Sequence, residues 1–231
     1  MGENLITGTS GTTPAGDGST SADAVPAGGD LASRIAQRSL AKREAGYASE
    51  IRRLLDAALA EIRTRGTTAR VRVADVVAAA GLSNDAFYRH FPSKDALLGA
   101  LLEDGTERLL SYVTHQMAKE PTPEGRIRRW AAAVLSQATD DIATTTRAIL
   151  WNAGGPTTDF ESGPPLPGSR LAALLRPAFA ELGSADPDFD AAVVSHATVG
   201  VLTDYLWRRA QPTPDEVDRI VAFALRAVTP V

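Results

Sequence analysis

Residues 73 to 98 read VADVVAAAGLSNDAFYRHFPSKDALL, and this stretch decides the fold of the N-terminal part of the chain. The apolar positions of residues 73 to 80 recur at helical spacing, which predicts a short helix with one buried face. Gly81 is placed to end this helix, because glycine adopts a positive φ at little steric cost. Ser83 can then cap the N-terminus of a second short helix.

The second helix is predicted from Asn84 to Phe91. Phe87 and Phe91 are four residues apart and share one face, so we expect both in the core, with Leu82 packed onto Phe87 as a hydrophobic staple. The other side chains that project from this helix are polar, namely Asn84, Asp85, Tyr88 and Arg89. Two short helices joined by a glycine-containing turn form a helix-turn-helix, whose second helix enters the major groove of DNA.

The polar side chains of the second helix match the edges of the DNA bases. Asn84 can pair with adenine, Arg89 with guanine, and Asp85 can accept a hydrogen bond from cytosine. A surface ion pair between Arg89 and Asp85, four residues apart, is the alternative for the arginine.

Donors to phosphate follow the base-reading positions. Tyr88 and His90 offer short, stiff donors to phosphate oxygens. Lys94 lies in the first turn after the predicted cap Ser93, where free backbone N–H groups also favour an anion. The sequence therefore predicts a clamp on the DNA backbone.

The stretch from Val73 to Leu98 resembles the DNA-binding signature of TetR-family regulators. The agreement is strongest at residues 80–83, 87–88, 90–91 and 93–97, all in register over 26 residues. The resemblance implies an all-α protein in which an N-terminal three-helix DNA-binding domain precedes a larger helical domain for ligand binding and dimerisation. It also implies which residues lie at the DNA, namely Ser83, Asn84, Ala86, Tyr88, Arg89, His90 and Lys94.

Three residues depart from the family pattern. Arg72 stands where a threonine or serine usually caps the first motif helix, Asp85 replaces a frequent glycine, and Ala86 replaces a frequent threonine. The Ala86 methyl group can instead touch a thymine methyl group. We retain Arg72 and Asp85 among the candidate DNA-binding residues.

Charge is divided unevenly along the chain, whose net charge is −4. Residues 1–30 hold four acidic and no basic residues, residues 31–100 hold 12 basic and 7 acidic residues, and residues 101–231 hold 12 basic and 17 acidic residues. A basic segment within an acidic chain is typical of a polyanion-binding module joined to a regulatory body.

Three regions are predicted from composition and periodicity. Residues 1–47 are predicted to be a leader, which is disordered and rich in small residues over 1–30 and ends in a basic arm at 31–47. A frayed helix is one interpretation of this arm, which is either solvated or adds phosphate contacts. Residues 48–98 form the helix-turn-helix domain, whose first helix is capped by Ser49 and ended by Gly66. Residues 99–231 form the helical body, and no alternating strand pattern occurs.

The predicted helices from the end of the motif onward are separated by proline and glycine. Their expected ranges are 93–119, 122–138, 141–153, 168–182, 186–210 and 213–228. The connection at 154–168 is longer than most loops and is predicted to be either mobile or functional.

The body contains candidates for an effector pocket and for a dimer interface. The resemblance implies a small-molecule effector, and aromatic and polar residues suited to a pocket are Trp130, Gln137, Trp151, Asn152, Phe179 and His196. Ordinary core packing is the alternative for the aromatic residues. The last two helices carry apolar stripes expected at a two-fold interface, with Val193, Ala197, Val201, Tyr205, Val217, Val221 and Leu225 as candidates. A contact within one subunit is the alternative for these stripes.

Several function classes are disfavoured. The chain has no cysteine, its three histidines do not cluster with carboxylates, and it lacks the common hydrolase, zinc-protease, P-loop and dinucleotide motifs, so we expect no enzyme activity, metal or cofactor. No apolar run approaches the roughly 18–20 residues that span a membrane, and residues 1–10 do not resemble a signal peptide, so we expect a cytoplasmic protein. The expected function is a homodimeric repressor on a palindromic double-stranded DNA operator, released by a small-molecule effector. A helical protein-protein interaction module is the alternative.

Overall fold

The computed structural model describes residues 30–153 and 167–228, and within these ranges the chain is helical and contains no strand. The helices are α1 (Leu31–Arg65), α2 (Val73–Ala80), α3 (Asn84–His90), α4 (Lys94–Met117), α5 (Pro123–Leu135), α6 (Asp140–Asn152), α7 (Pro167–Glu181), α8 (Pro187–Arg208) and α9 (Pro214–Val228). A short 3-10 turn, Ser136–Ala138, follows α5. The prediction of an all-α fold is confirmed.

The chain divides into two compact units, and the boundary along the sequence lies between Glu44 and Ala45. The described part of the first unit, residues 30–44, is helical from Leu31 and exposed throughout. The second unit, residues 45–231, contains the rest of α1 and all later helices.

The start of α1 differs from the sequence prediction. Residues 1–29 of the predicted leader lie outside the described residues, but residues 31–47 are helical and the predicted cap Ser49 lies inside the helix. Residues 31–47 are therefore a continuous part of α1, and the predicted start of the first motif helix at Ser49 is wrong. Eleven of the 17 residues at 31–47 are alanine, leucine, arginine, lysine or glutamine, which favour a helix even without a buried face. The predicted end of the helix is confirmed, because α1 stops at Arg65 and Gly66 has a φ of +57°.

The body helices lie within three residues of their predicted limits. Local signals account for this agreement. The Thr122 side chain accepts a hydrogen bond from Gly125 N (3.1 Å) at the start of α5, and the Asp186 side chain accepts one from Phe189 N (3.0 Å) at the start of α8. Most of the connection predicted at 154–168 lies outside the described residues.

Two hydrophobic clusters organise the second unit. The N-terminal cluster joins α1, α2, α3 and the start of α4, and the C-terminal cluster joins the end of α4 with α5, α7, α8 and α9. Helix α6 contributes to both, since Ala143 packs in the C-terminal cluster while Ala148 and Ile149 pack in the N-terminal one. The helical body therefore inserts the end of α6 into the core of the predicted DNA-binding domain.

Candidate nucleic-acid interface

The turn between α2 and α3 has the geometry that the sequence predicts. Gly81 has a φ of +62°, and Leu82 N donates to Val77 O (2.9 Å), which closes the end of α2. The Ser83 side chain accepts a hydrogen bond from Ala86 N (3.1 Å) and so caps α3. Arg53 of α1 donates to the carbonyl of Gly81 (3.1 Å) and fixes the turn against the longer helix.

The inner face of α3 holds the motif in place. The Phe87 ring is fully buried, and its centroid lies 5.8 Å from that of Phe91, which is also buried. Leu82 packs against the same cluster. The predicted scaffold role of both phenylalanines is confirmed, and their burial sets the rotation of α3.

The outer face of α3 is polar and exposed. Asn84, Asp85 and Arg89 are exposed, and Tyr88 is exposed by 57% although it is an aromatic residue. Ser83 is also exposed at the start of the helix. This face can offer amide, carboxylate, hydroxyl and guanidinium groups to an external partner.

Ala86 does not belong to this exposed face. Only 5% of its surface is accessible, so the predicted contact between its methyl group and a thymine methyl group is wrong. A methyl group at the edge of the buried side of α3 does not extend beyond the neighbouring longer side chains.

His90 is also turned away from the exposed face. Its side chain is 4% exposed, and its Nε2 donates to Glu50 Oε2 across 2.7 Å. The Tyr47 ring packs edge-on against the imidazole with the centroids 5.4 Å apart. The predicted donation from His90 to a phosphate oxygen is therefore wrong, because Glu50 takes that donor and the imidazole is covered.

Glu50 links α1 to the end of α3 through two side chains. Its Oε2 also lies 3.3 Å from Arg89 Nη1, so the ion pair of Arg89 is made with Glu50 and not with Asp85. The hydrogen bond from His90 lowers the pKa of the Glu50 carboxyl, and the positive charge of Arg89 lowers it further. Sequence spacing gave no signal for this contact, because Glu50 lies 40 residues from His90.

The remaining DNA-binding candidates flank the motif. Arg72 is exposed at the N-cap of α2 and makes no side-chain cap there, as expected for a residue that replaces threonine or serine. Lys94 is the first residue of α4 and is half-buried. The predicted cap Ser93 is confirmed, since its Oγ accepts from Ala96 N (3.1 Å).

The effector-pocket candidates do not surround one cavity among the described residues. Trp130 and Phe179 are fully buried in the C-terminal cluster, and the Trp130 indole N–H donates to Leu171 O (3.1 Å). The Asn152 amide is 1% exposed and bonded within the protein. These three residues are packed in cores, and helical spacing is the same for core and pocket residues, so their role in an effector pocket stays a prediction.

The other three pocket candidates are dispersed. Trp151 is half-buried, and the Arg70 guanidinium lies 5.2 Å from its ring centroid. Gln137 is half-buried and contacts Ser136 Oγ at 3.5 Å. His196 lines a cleft of about 200 Å³ between α7 and α8.

The dimer candidates divide between the surface and the core. On α8, Val193, Ala197 and Val201 are exposed. The candidates that pack in or against the C-terminal cluster are Tyr205, Val217, Val221 and Leu225. The α9 stripe is therefore used within the subunit, because its apolar side chains face α5 and α8 rather than outward. Trp207 and Phe223 are further exposed hydrophobic residues of α8 and α9.

Comparison with known proteins gives matches to one family of regulators. Residues 54–101 match the family described as "Bacterial regulatory proteins, tetR family". A comparison with curated proteins finds no significant match.

Solved structures share the fold over most of the chain. A TetR-family regulator from Mesorhizobium loti is 18% identical, with 79% of this chain and 96% of that chain covered and a TM-score of 0.56. A TetR-family regulator from a Rhodococcus species is 20% identical, with 76% and 98% covered and a TM-score of 0.54. RolR in complex with the ligand resorcinol is 18% identical, with 79% and 89% covered and a TM-score of 0.52.

An exposed polar helix held on a buried apolar scaffold is the arrangement of a helix-turn-helix. Residues 54–101 match the TetR-family domain, and the chain shares the fold of the TetR-family structures compared above. Within the described residues no helix is long and apolar enough to cross a membrane, and no three potential metal ligands cluster there.

Proposed function

We propose that the protein is a homodimeric repressor that binds a palindromic operator and releases it when a small molecule binds to the helical body. We propose no catalytic activity for this protein. We propose that it acts in the cytoplasm, where it binds its DNA operator. A protein-protein interaction module is not favoured, because the exposed helix belongs to a DNA-binding family domain.

One observation carries the DNA-binding part of the proposal. Helix α3 buries Phe87 completely and exposes Asn84, Asp85 and Tyr88 on its other side. A short helix fixed in this way presents its first turn to the major groove, where amide and carboxylate groups distinguish base edges. Lys94 and Tyr88 are the phosphate-binding residues of this proposal.

A structural link between the body and the motif supports ligand-controlled release. Asn152, at the end of α6, accepts a hydrogen bond from Val71 N (2.9 Å) just before α2. The Arg70 guanidinium also contacts the Trp151 ring. A ligand that binds two body conformations unequally would move this end of α6 and shift the populations of α2 and α3. RolR, which shares the fold, has been described with resorcinol bound, which supports a small-molecule effector.

The exposed face of α8 supports the dimer. Val193, Ala197 and Val201 are spaced four residues apart and form one exposed row over two turns. Two copies of this row related by a two-fold axis would bury each other and place two α3 helices on a palindrome. Sedimentation at micromolar concentration should give a dimer for the wild type and a monomer for Val201→Glu; a monomeric wild type would contradict this part.

The DNA-binding part is tested by selection from a genomic DNA library, followed by fluorescence anisotropy at two salt concentrations. The wild type should select one palindromic sequence and lose affinity steeply as salt rises. The double variant Tyr88→Ala, Lys94→Ala should lose this binding. A matched control is Tyr112→Ala, Lys119→Ala, which removes the same two residue types from an exposed part of the body. Equal loss of binding in both variants, or a folded wild type that selects no sequence, would overturn the proposal.

Release is tested on the selected operator with a panel of small aromatic compounds that includes resorcinol. Binding of a compound is followed by tryptophan fluorescence, and release of DNA is followed by anisotropy. A compound that binds the body should lower operator affinity, because it favours one of the two conformations. Compounds that bind yet leave the operator affinity unchanged would contradict the proposed release.

A further inference from the structure

The N-terminal part of α1 is an exposed basic helix. Residues 31–44 are all exposed, and four of them are basic. These four residues are Arg34, Arg38, Lys42 and Arg43. The only acidic residue within the segment is Glu44.

The four basic residues have no carboxylate partner among the described residues. Ion pairs in those residues are made by side chains beyond Glu44, for example Arg65 with Asp75 and Arg176 with Asp188. Many arginines elsewhere in the described chain are therefore paired with a carboxylate, whereas the positive charges of residues 31–44 are not paired in this way. An uncompensated row of positive charge attracts an external polyanion.

The spacing of the basic residues suits a regular polyanion. Arg34, Arg38 and Lys42 are four residues apart, so they lie on one side of the helix with about 6 Å between successive side chains along the axis. Duplex DNA carries a phosphate about every 3.4 Å along each strand. A row that spans about 12 Å can therefore contact several phosphates of one duplex.

The apolar residues of the segment do not form a membrane-binding face. Leu31, Ile35 and Leu40 are all more than half exposed. Leu40 is five residues beyond Ile35, which places it about 140° around the helix at roughly 100° per residue. A helix that lies on a lipid surface needs its apolar residues on one face. Nucleic acid therefore fits the segment better than a membrane.

We propose that residues 31–44 are a second DNA-binding element, which contacts the phosphates of duplex DNA without reading their sequence. The proposal rests on the proposed function for its choice of duplex DNA as the polyanion. The segment adds affinity for any sequence, whereas α3 supplies the preference for one operator.

The test uses the full chain with the triple variant R34Q, R38Q, K42Q. Affinity for a random-sequence 30-base-pair duplex is measured by anisotropy over a series of salt concentrations. Each lost phosphate contact lowers the slope of log affinity against log salt by about 0.9, so the slope should fall by roughly 2–3. The ratio of operator affinity to random-sequence affinity should be kept or should rise.

A matched control removes the same charge from the body. The variant R128Q, R176Q, R208Q changes three arginines whose side chains are more than half exposed. Its salt slope should stay within about 0.5 of the wild-type slope, because charges that touch no phosphate release no counterions. Circular dichroism of both variants checks that helix content is retained.

The outcomes separate this inference from the proposed function. A wild type that selects an operator, together with equal salt slopes for the two triple variants, overturns the second element alone. A wild type with no salt-dependent DNA binding overturns both. A lipid-binding role is tested by cosedimentation with phosphatidylserine vesicles. If the wild type binds the vesicles and the triple variant R34Q, R38Q, K42Q does not, while the two have equal affinity for DNA, the segment binds lipid and the inference is overturned.

Discussion

Replacing Asn152 with alanine tests how the body is joined to the DNA-binding domain. The Asn152 side chain is 1% exposed, and its Oδ1 accepts from Val71 N across 2.9 Å. Its Nδ2 donates to Ala148 O across 2.8 Å. Asn152→Ala removes both hydrogen bonds and leaves the N–H of buried Val71 without an acceptor.

The expected loss follows from these two bonds. A buried donor left unpaired costs about 1–3 kcal/mol, while the Ala148 carbonyl keeps the i→i−4 bond of the helix and costs less. We therefore expect the free energy of unfolding to fall by about 2 kcal/mol. For a chain of this size that corresponds to a drop in Tm of roughly 4–8 °C.

Urea denaturation followed by circular dichroism measures this loss. The midpoint should fall while the dependence of the free energy on urea stays the same, because the surface exposed on unfolding is unchanged. Gln137→Ala is the control, since this half-buried amide contacts only Ser136 Oγ at 3.5 Å among the side-chain bonds described. If the losses in free energy of unfolding for Asn152→Ala and Gln137→Ala differed by less than about 0.5 kcal/mol, the reasoning from the buried hydrogen bond between Val71 and Asn152 would be refuted.

Three further predictions concern the motif. Phe87→Ala should lower the free energy of unfolding by about 3–5 kcal/mol in urea titrations, since the ring is fully buried; a loss under 1 kcal/mol would contradict its scaffold role. Gly81→Ala should lower Tm because φ is +62°, whereas Gly105→Ala, in an open helical position, should raise it; changes of the same sign would disprove the conformational argument. The hydrogen bond from His90 lowers the pKa of the Glu50 carboxyl. The stabilisation of the folded state by this bond is therefore complete above the unfolded pKa of about 4.3 and is lost as pH falls through the lower folded pKa. Glu50→Gln should remove that part of the pH dependence of the urea midpoint, and an unchanged pH profile would refute it.

Local signals were sufficient for most of the fold. The turn at Gly81 and the caps at Ser83 and Ser93 were predicted because each depends on residues within four positions. The exposed face of α3 followed from the spacing of Phe87 and Phe91. The start of α1 was predicted at Ser49 rather than at Leu31, because a helix formed by propensity alone shows no apolar stripe.

Long-range contacts decided the parts of the site that were predicted wrongly. His90 is polar and adjacent to Arg89, yet Glu50 and Tyr47 cover it from another helix. The indole N–H of Trp130 donates to the carbonyl of Leu171, 41 residues away, which is a contact that helical spacing does not predict.

The sequence by itself determined that the described chain is helical, where most of its helices begin and end, and that residues 73–98 contain a helix-turn-helix. These properties depend on caps, breakers and periodicity, which act within a turn or two of the backbone. Only the tertiary structure decided that Glu50 holds His90 and Arg89, that Asn152 joins α6 to Val71, and that the apolar stripe of α9 is used within the subunit. Those outcomes depend on how helices far apart in sequence pack together, and that packing sets which polar atoms meet and which apolar faces remain exposed.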